Sequence, residues 1–528
     1  SGLGISMAPQ SARLTSSEYF YLYMLLHKPW ERLTVTCPRE GRDGKLLRPA
    51  EFISRPGTIK GIELKALRAE DLGSKEEEDV FYSSPEDALS SLASMLKEGC
   101  PGSDRLKRLY AFLSADERTK DRASKLTEGA FMRHEDCSIG SDTALELYGD
   151  SLYGSVTRIE SFERCAYAHF LRYGLRLMER QRYDIEAADI GNLYHAAIEH
   201  TFRELADRKL EIASVSEAEL LKIGENAVRE VTGSYNDSIL SSSSRNLYLR
   251  DRVSRITGRT LWALRSQAAK GSFRTAYCEL PFRIKDQGLE LHGRIDRVDL
   301  CEDRTDTYVK VIDYKSGKTR FDLDLVYHGL QLQLITYMDA AVGELEKRKG
   351  RGHVHPAGLY YYNIDDPVIS YGDLSKKAGP EAEEAADKEI LSELRMNGLS
   401  NSDPEILREL DGELQTEGDA ASSVIPVKVK GGSVVPSSSM VCGTEGFRRL
   451  MERTRERIRK DTKEIFSGNI DIRPFRSGAA SGCDYCPYRS VCGFDASVPG
   501  YGYRRLWPVS KDRLRAELFG EDGNDAVD

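Results

Sequence analysis

Near the C-terminus the run CDYCPYRSVC packs Cys483, Cys486 and Cys492 into one short stretch. Three thiols that close share a metal, and a thiolate-ligated site calls for four ligands. No fourth cysteine lies beside them. A distant segment therefore has to supply the last ligand, which obliges the chain to fold back so that remote parts meet. The C-x2-C-x5-C spacing suits zinc and an iron–sulfur cluster equally well.

A chain of 528 residues suffices for two or three domains with their own cores. With 40% hydrophobic and 30% charged residues, the composition is that of a soluble globular protein, not a disordered one. No apolar run approaches the roughly 18 residues that span a bilayer. No basic-then-apolar leader opens the chain, and Ser1 in place of Met suggests a processed or engineered terminus. These features point to the cytoplasm, where ten cysteines are thiols or metal ligands and not a disulfide framework. A net charge of −9 argues against a polyanionic partner in bulk but leaves room for local basic surfaces.

Residues 1–45 open with a helix-like aromatic stretch, SSEYFYLYMLLHKPWERLTVTCP, that ends in a β-rich run. Residues 70–150 are charged and helical in pattern, with a low-hydrophobicity patch at DLGSKEEED. From Ser155, RIESFERCAYAHFLRYGLRLMERQR and GNLYHAAIEHTFRELADRKL carry apolar residues at helical spacing. Residues 276–315 switch to strand chemistry, a helix is expected at about 325–345, and GLYYYNI (358–364) reads as another strand. The acidic, then Ser-, Gly- and Val-rich segment 370–440 reads as an insertion with its own helices and a hairpin. FRRLMERTRERIRK (447–460) reads as a charged helix with a solvated or subunit-facing surface.

The chemistry concentrates in two strands, LELHGRIDRVDL with Asp296 and YVKVIDYKSG with Asp313 and Lys315. Side chains two apart on a strand share a face, so Asp313 and Lys315 project together at the end of an apolar row that holds Val309 and Val311. Charges there are costly unless a metal or substrate compensates. A short connection permits a hairpin that brings Asp296 beside Asp313. Converging carboxylates call for a hard divalent cation such as magnesium or manganese. A lone D-x-K is ordinarily surface decoration, a lone histidine a packed core group, and a Gln-Tyr pair plain helix surface. Here His195 shares a helix face with Glu199, and Gln333 and Tyr337 stand one turn apart. The order helix-His, strand-Asp, strand-Asp-x-Lys, helix-Gln-x-x-x-Tyr is a poor match to chance.

GNLYH, GRIDRVD, VIDYKSG and QLQLITY, in that order, resemble the RecB-type branch of the PD-(D/E)XK nucleases. The resemblance implies an α/β, restriction-endonuclease-like fold: a mixed central sheet flanked by helices. It implies His195, Asp296, Asp313 and the backbone carbonyl of Tyr314 as ligands of Mg2+ or Mn2+. Lys315 would be the catalytic lysine beside Asp296 and Asp313, with Gln333 and Tyr337 in support. The acidic residue before the lysine is Asp313, in D-Y-K, a form that the RecB branch also uses. Iron–sulfur members of this branch carry one cysteine before the nuclease motifs and three after them. SVTRIESFERCAYAHF supplies Cys165, so the resemblance implies a [4Fe–4S] cluster on Cys165, Cys483, Cys486 and Cys492. Ala166 stands where relatives often have Pro, with no ligand lost. Such a cluster is a clasp that offsets the loop-closure entropy of a long intervening chain. The other six cysteines read as plain thiols.

HPAGLYYYNIDDPVI, the acidic segment, VIPVKV and CDYCPYRSVCGFD resemble the AddB family, the second component of the AddAB helicase–nucleases, over nearly the whole chain. LYMLLHKPWERL (22–33) resembles a late superfamily-1 helicase motif, with Lys28 where the ATP-contacting arginine falls. Lysine lacks the planar fork that senses a γ-phosphate, and no G-x-x-x-x-G-K-[ST] occurs in the chain. No ATPase site is therefore expected. Residues 1–140 are expected to be a degenerate helicase-like portion, 150–500 the nuclease domain and 501–528 a tail, the whole being a C-terminal fragment. The resemblance implies an AddA partner as motor, single-stranded ends of unwound DNA as substrate, and degradation of the 5′-ended strand at double-strand breaks. Arginines at 158, 164, 172, 176, 180 and 182 with interleaved aromatics suggest DNA contacts from Arg158, Arg164, Tyr167 and Arg172. A solvated helix face with its aromatics in the core explains that pattern equally. Two rivals stand beside this nuclease reading: a non-catalytic DNA-binding scaffold for AddA, and a stand-alone CRISPR-associated nuclease of the Cas4 type with the same clasp. The intact acidic set weighs against the first, and the helicase-like start and long 370–440 segment against the second.

Overall fold

The computed structural model describes residues 11–30, 46–48, 84–97, 103–180, 185–235, 240, 243–349, 353–369, 380–414, 418–435 and 438–520. Two units divide between Ala130 and Phe131. The first contains helices α1 (Ser11–His27), α2 (Pro85–Lys97), α3 (Asp104–Ala115) and α4 (Lys120–Ala130). The last three pack around Leu89, Leu92, Leu109, Leu113 and Ala123. The expected β-rich run, the DLGSKEEED patch and the end of the helicase-like motif lie outside the described residues.

The second unit is built on a seven-stranded mixed sheet, the expected architecture. Its strands are β1 (Leu152–Gly154), β2 (Arg274–Asp286), β3 (Leu289–Glu302), β4 (Thr307–Lys315), β5 (Val354–Asn363), β6 (Asn397–Asn401) and β7 (Val441–Cys442). β2, β3 and β4 form an antiparallel meander. β5 joins β4 in parallel, β6 joins β5 antiparallel, β7 joins β6 in parallel, and β1 runs parallel to the start of β3. The β2–β3 turn is Gln287-Gly288, both with positive φ, as a tight hairpin of native twist requires.

β4 is buried on both faces because helices cover both. On one side α7 (Ala187–Asp207), α8 (Glu217–Ser234) and α9 (Ser244–Ala268) join a core of Tyr194, Phe202, Leu261, Ile312, Tyr314 and Tyr360. On the other, α10 (Gln333–Lys349) and α11 (Thr444–Phe466) pack over Val309, Val311, Leu334, Met338 and Phe447. Two further helices, α5 (Gly140–Tyr148) and α6 (Val156–Arg164), precede these in the chain.

Four boundaries differ from expectation. The predicted insertion 370–440 contains β6, a strand of the main sheet, together with a small three-stranded sheet at 420–434. Within the expected tail, residues 501–520 pack onto the second unit: Arg504–Arg505 pairs with Phe475–Ser477, and α12 (Lys511–Phe519) buries Leu514, Leu518 and Phe519 in the core over α11. The helix-patterned run from Ser155 breaks at Cys165, whose extended backbone (φ −170) ends α6. The first unit ends at Ala130 and not near 140, because the segment after it bonds to the second unit: the His134 N–H donates to the Pro499 carbonyl, and Ser138 bridges to Asn469.

Candidate active site

The β3–β4 ladder ends at the pair Arg297↔Ile312. One step beyond it Asp296 and Asp313 face each other, two like charges at opposed positions of a hairpin. With the ladder finished, the Tyr314 backbone N–H donates instead to Asp296 Oδ2, at 2.8 Å. On the other flank of β3, Glu279 lies between the pairs Cys278↔Arg297 and Leu280↔Ile295, opposite Asp296. Its φ of 50° is a left-handed conformation that a glutamate adopts only under constraint from its surroundings.

Helix α7 supplies the imidazole. It buries Leu193, Tyr194, Ala197 and Ile198, which turns His195 towards the end of the ladder, with Nδ1 3.3 Å from Asp296 Oδ2. Gly191 permits the approach, since a Cβ there would stand 3.0 Å from the Ser316 hydroxyl, one residue past Lys315. Ligand atoms of His195, Glu279 and Asp296 lie within 4.8 Å of one another.

Asp313 is 2% exposed, and its Oδ2 lies 2.6 Å from Lys315 Nζ. The ammonium also donates to Gln333 Oε1 at 2.9 Å, and Gln333 Nε2 donates to the Tyr337 hydroxyl at 2.8 Å. Glu160, on α6, sets one carboxylate oxygen against the start of α10, accepting from the N–H of Leu332 (2.7 Å) and of Gln333 (3.1 Å). Burial first, and then Asp313, hold the Asp296 carboxyl well above the usual range. Burial raises Asp313 too, against the pull of Lys315, and burial lowers His195. Carboxylates and a neutral imidazole converging this way are the donor set of a hard divalent cation, which would let both aspartates ionise.

The same two strands carry a second charged group on their opposite face. Arg297 Nε donates to Asp299 Oδ1 at 2.6 Å, and Lys310 Nζ lies 2.9 Å from Asp299 Oδ2. All three side chains are buried. Burial opposes ionisation of Asp299, yet Arg297 and then Lys310 hold it down at about 2. The Tyr314 hydroxyl is 3.5 Å from Arg297 Nη1, so this tyrosine's ring belongs to that face.

Cys165 is buried where α6 stops, with the N–H groups of Tyr167 and Ala168 directed at its sulfur. Cys483 and Cys486 lie within its electrostatic reach, and Cys492 within that of Cys483. A Cβ at Gly482 would sit 2.6 Å from the Arg164 carbonyl oxygen, so the residues just before Cys483 and Cys165 are in backbone contact. Phe494 N–H points at Cys492 Sγ, 3.5 Å away. Burial pushes the Cys165 thiol up to about 11. Clustered thiols facing amide donors fit an iron–sulfur group, which binds thiolates and is tuned by N–H···S contacts.

Every predicted nuclease side chain, His195, Asp296, Asp313, Lys315, Gln333 and Tyr337, comes to this one end of the sheet. Arg158 corrects a predicted DNA contact. It is 8% exposed, donates to the Tyr153 carbonyl and to His169 Nε2, and stacks on Tyr148 and Tyr173. Arg164 and Arg172 are exposed, and Tyr167 is half-buried. Sequence reasoning missed Glu279 and Glu160. The hairpin turn at Gln287-Gly288 fixes the register that places Glu279 opposite Asp296, and was its available signal. Glu160 had none, because its partners lie 172 residues away.

A buried carboxylate hairpin with a lysine two residues on, at one end of a mixed sheet between helices, defines a nuclease class. The chain belongs to the PD-(D/E)XK nuclease superfamily, whose family model matches residues 154–493, a span that includes both Cys165 and Cys492. It is similar to the B component of the ATP-dependent helicase/deoxyribonuclease of Lachnoclostridium phytofermentans, 34% identical over 98% of this chain and 45% of that relative. The proteins of the same name from Bacillus mycoides and Bacillus thuringiensis strain Al Hakam are each 30% identical, over 98% and 99% of this chain and 46% of theirs. The chain thus spans just under half the length of these curated relatives. Among the described residues, no helix is long and apolar enough to cross a membrane.

Proposed function

We infer that this chain is the nuclease-bearing part of an AddB-type component of a helicase–nuclease, a metal-dependent DNA exonuclease that hydrolyses phosphodiesters of single-stranded ends. The observation that carries the reading is the meeting of His195, Glu279 and Asp296 within 4.8 Å, beside the Asp313–Lys315–Gln333–Tyr337 chain. His195, Asp296, Asp313 and the Tyr314 carbonyl would hold Mg2+ or Mn2+, with Glu279 as an added carboxylate. Such a cation supplies Lewis acidity towards water and the phosphoryl oxygens. Lys315 orients the attacking water and offsets negative charge developing on the phosphate. Gln333, itself held by Tyr337, keeps the ammonium from collapsing fully onto Asp313.

A [4Fe–4S] cluster on Cys165, Cys483, Cys486 and Cys492 would join α6 to the C-terminal segment. An AddA-type motor would feed the strand, the 5′-ended one at a processed double-strand break, in the cytoplasm. The relatives' shared name supports the helicase context.

Magnesium-dependent cleavage of single-stranded DNA should fall about a thousandfold or more in Asp313→Ala, the loss of several kcal/mol of metal-centred stabilisation. Equal rates would sink the nuclease reading and leave the scaffold alternative. Anaerobically purified protein should be brown and bind iron, and Cys165→Ser should lose both properties. A colourless, zinc-loaded parent would instead assign the thiols to zinc.

A further inference from the structure

We propose that Glu160 is a positioning residue for Lys315, and that it ties the orientation of the lysine to the helix that carries Cys165 at its end. This rests on the nuclease reading above and adds to it a component outside the acidic set.

Helix α10 begins at Gln333, and the first N–H groups of a helix have no partner within it. Glu160 caps Leu332 and Gln333 from α6, one oxygen accepting from both donors. A carboxylate at a helix start is also favoured by the helix dipole. Gln333 is the residue whose side chain accepts from Lys315 Nζ, so the capped backbone is the base on which the lysine's partner stands. Without that anchor the first turn of α10 can fray, Gln333 can swing away, and the Asp313 carboxylate takes the ammonium wholly to itself.

At its C-terminal end α6 is held by ion pairs. Glu163 accepts from Arg457 Nε at 2.8 Å and lies 2.9 Å from Arg504 Nη2, and Cys165 follows directly where the helix stops. A displacement of the thiol cluster therefore moves α6, and through Glu160 it moves Gln333 and Lys315. A misplacement of about an ångström is enough to slow a reaction substantially.

The test uses the full, iron-loaded chain, with the parent and Asp313→Ala as references. In Glu160→Ala, kcat should fall about ten- to a hundredfold, as for other residues that orient a ligand or catalytic group, with KM changed less than about twofold. Glu160→Gln should stay within about threefold of the parent, because its amide oxygen still accepts both N–H groups. In Glu160→Ala/Gln333→Ala the rate should match Gln333→Ala alone, since the two act in series. Melting temperature and iron content identify a folded variant. Should Glu160→Ala unfold, Glu160→Asp, which withdraws the carboxylate by one methylene, takes its place with the same expected loss. A folded variant with kcat within about twofold of the parent, or losses that multiply in the double variant, overturns the proposal. A parent that cleaves nothing overturns the nuclease reading and this one with it.

Discussion

The two faces of the β3–β4 hairpin carry the same chemistry to opposite ends. On one face Asp299 stands between Arg297 and Lys310, a carboxylate answered by two cations. On the other, Asp296 and Asp313 share a single nearby ammonium, with Glu279 adding a third carboxylate. Asp299 is held at about 2, whereas Asp296 and Asp313 are both raised. Asp299 and Asp313 are both buried, so burial does not separate these two; the supply of positive charge does. A saturated network locks two strands together, and an undersaturated one is set to receive a cation.

Breaking the saturated face should have the largest effect on stability. Asp299→Ala leaves Arg297 and Lys310 as unpaired buried cations, and should lower the urea-unfolding free energy by roughly 3–5 kcal/mol. Asp313→Ala removes one of two repelling carboxyls and should leave unfolding within about 1 kcal/mol of the parent, or above it. Matching losses in the two variants would abolish the distinction between the faces. On the undersaturated face, Glu279→Gln should weaken Mg2+ or Mn2+ binding, read by calorimetry, by about ten- to a hundredfold. Unchanged affinity would remove Glu279 from the donor set.

A second pair of carboxyls sharpens the contrast, because it settles its repulsion with a proton. Asp461 lies beside Glu163 and 3.2 Å from Arg457 Nε; burial first, and then Glu163, raise it to about 9. In the unfolded chain the same group titrates near 4. The folded protein thus keeps a proton that the unfolded chain has already lost. The stability this group contributes is complete below about pH 4 and declines as pH climbs towards 9. Asp461→Asn imitates the protonated acid, so it should flatten the fall in melting temperature between about pH 5 and 9. At about pH 8.5 it should exceed the parent by on the order of 1–2 kcal/mol. A variant whose melting profile follows the parent's would show that the pair shares no proton.

The nuclease residues were legible because period-2 and helical spacing put each on a defined face, and their order carried the rest. Val309, Val311, Asp313 and Lys315 do share a face, and Asp296 does lie across the hairpin. Arg158 misleads because an arginine among aromatics looks the same in sequence whether it meets phosphate or packs against Tyr148 and Tyr173. β6 is hidden in NGLSN, five residues with little strand character, which pair with β5 through tertiary context. Helix α12 resembles a tail in sequence because nothing local shows that Leu514, Leu518 and Phe519 have a core to enter.

Helix α6 has an assembly timetable written into its contacts. Its Glu163 meets Arg457 and Arg504, residues 294 and 341 positions downstream. A ribosome completes His195, all the site carboxylates and Lys315 long before it makes the arginines that moor α6. Closing so large a loop is slow, and it comes last. The unit therefore emerges with its acids made and its frame still open, and a nascent or C-terminally clipped chain holds the parts of a nuclease without the strut that aligns them.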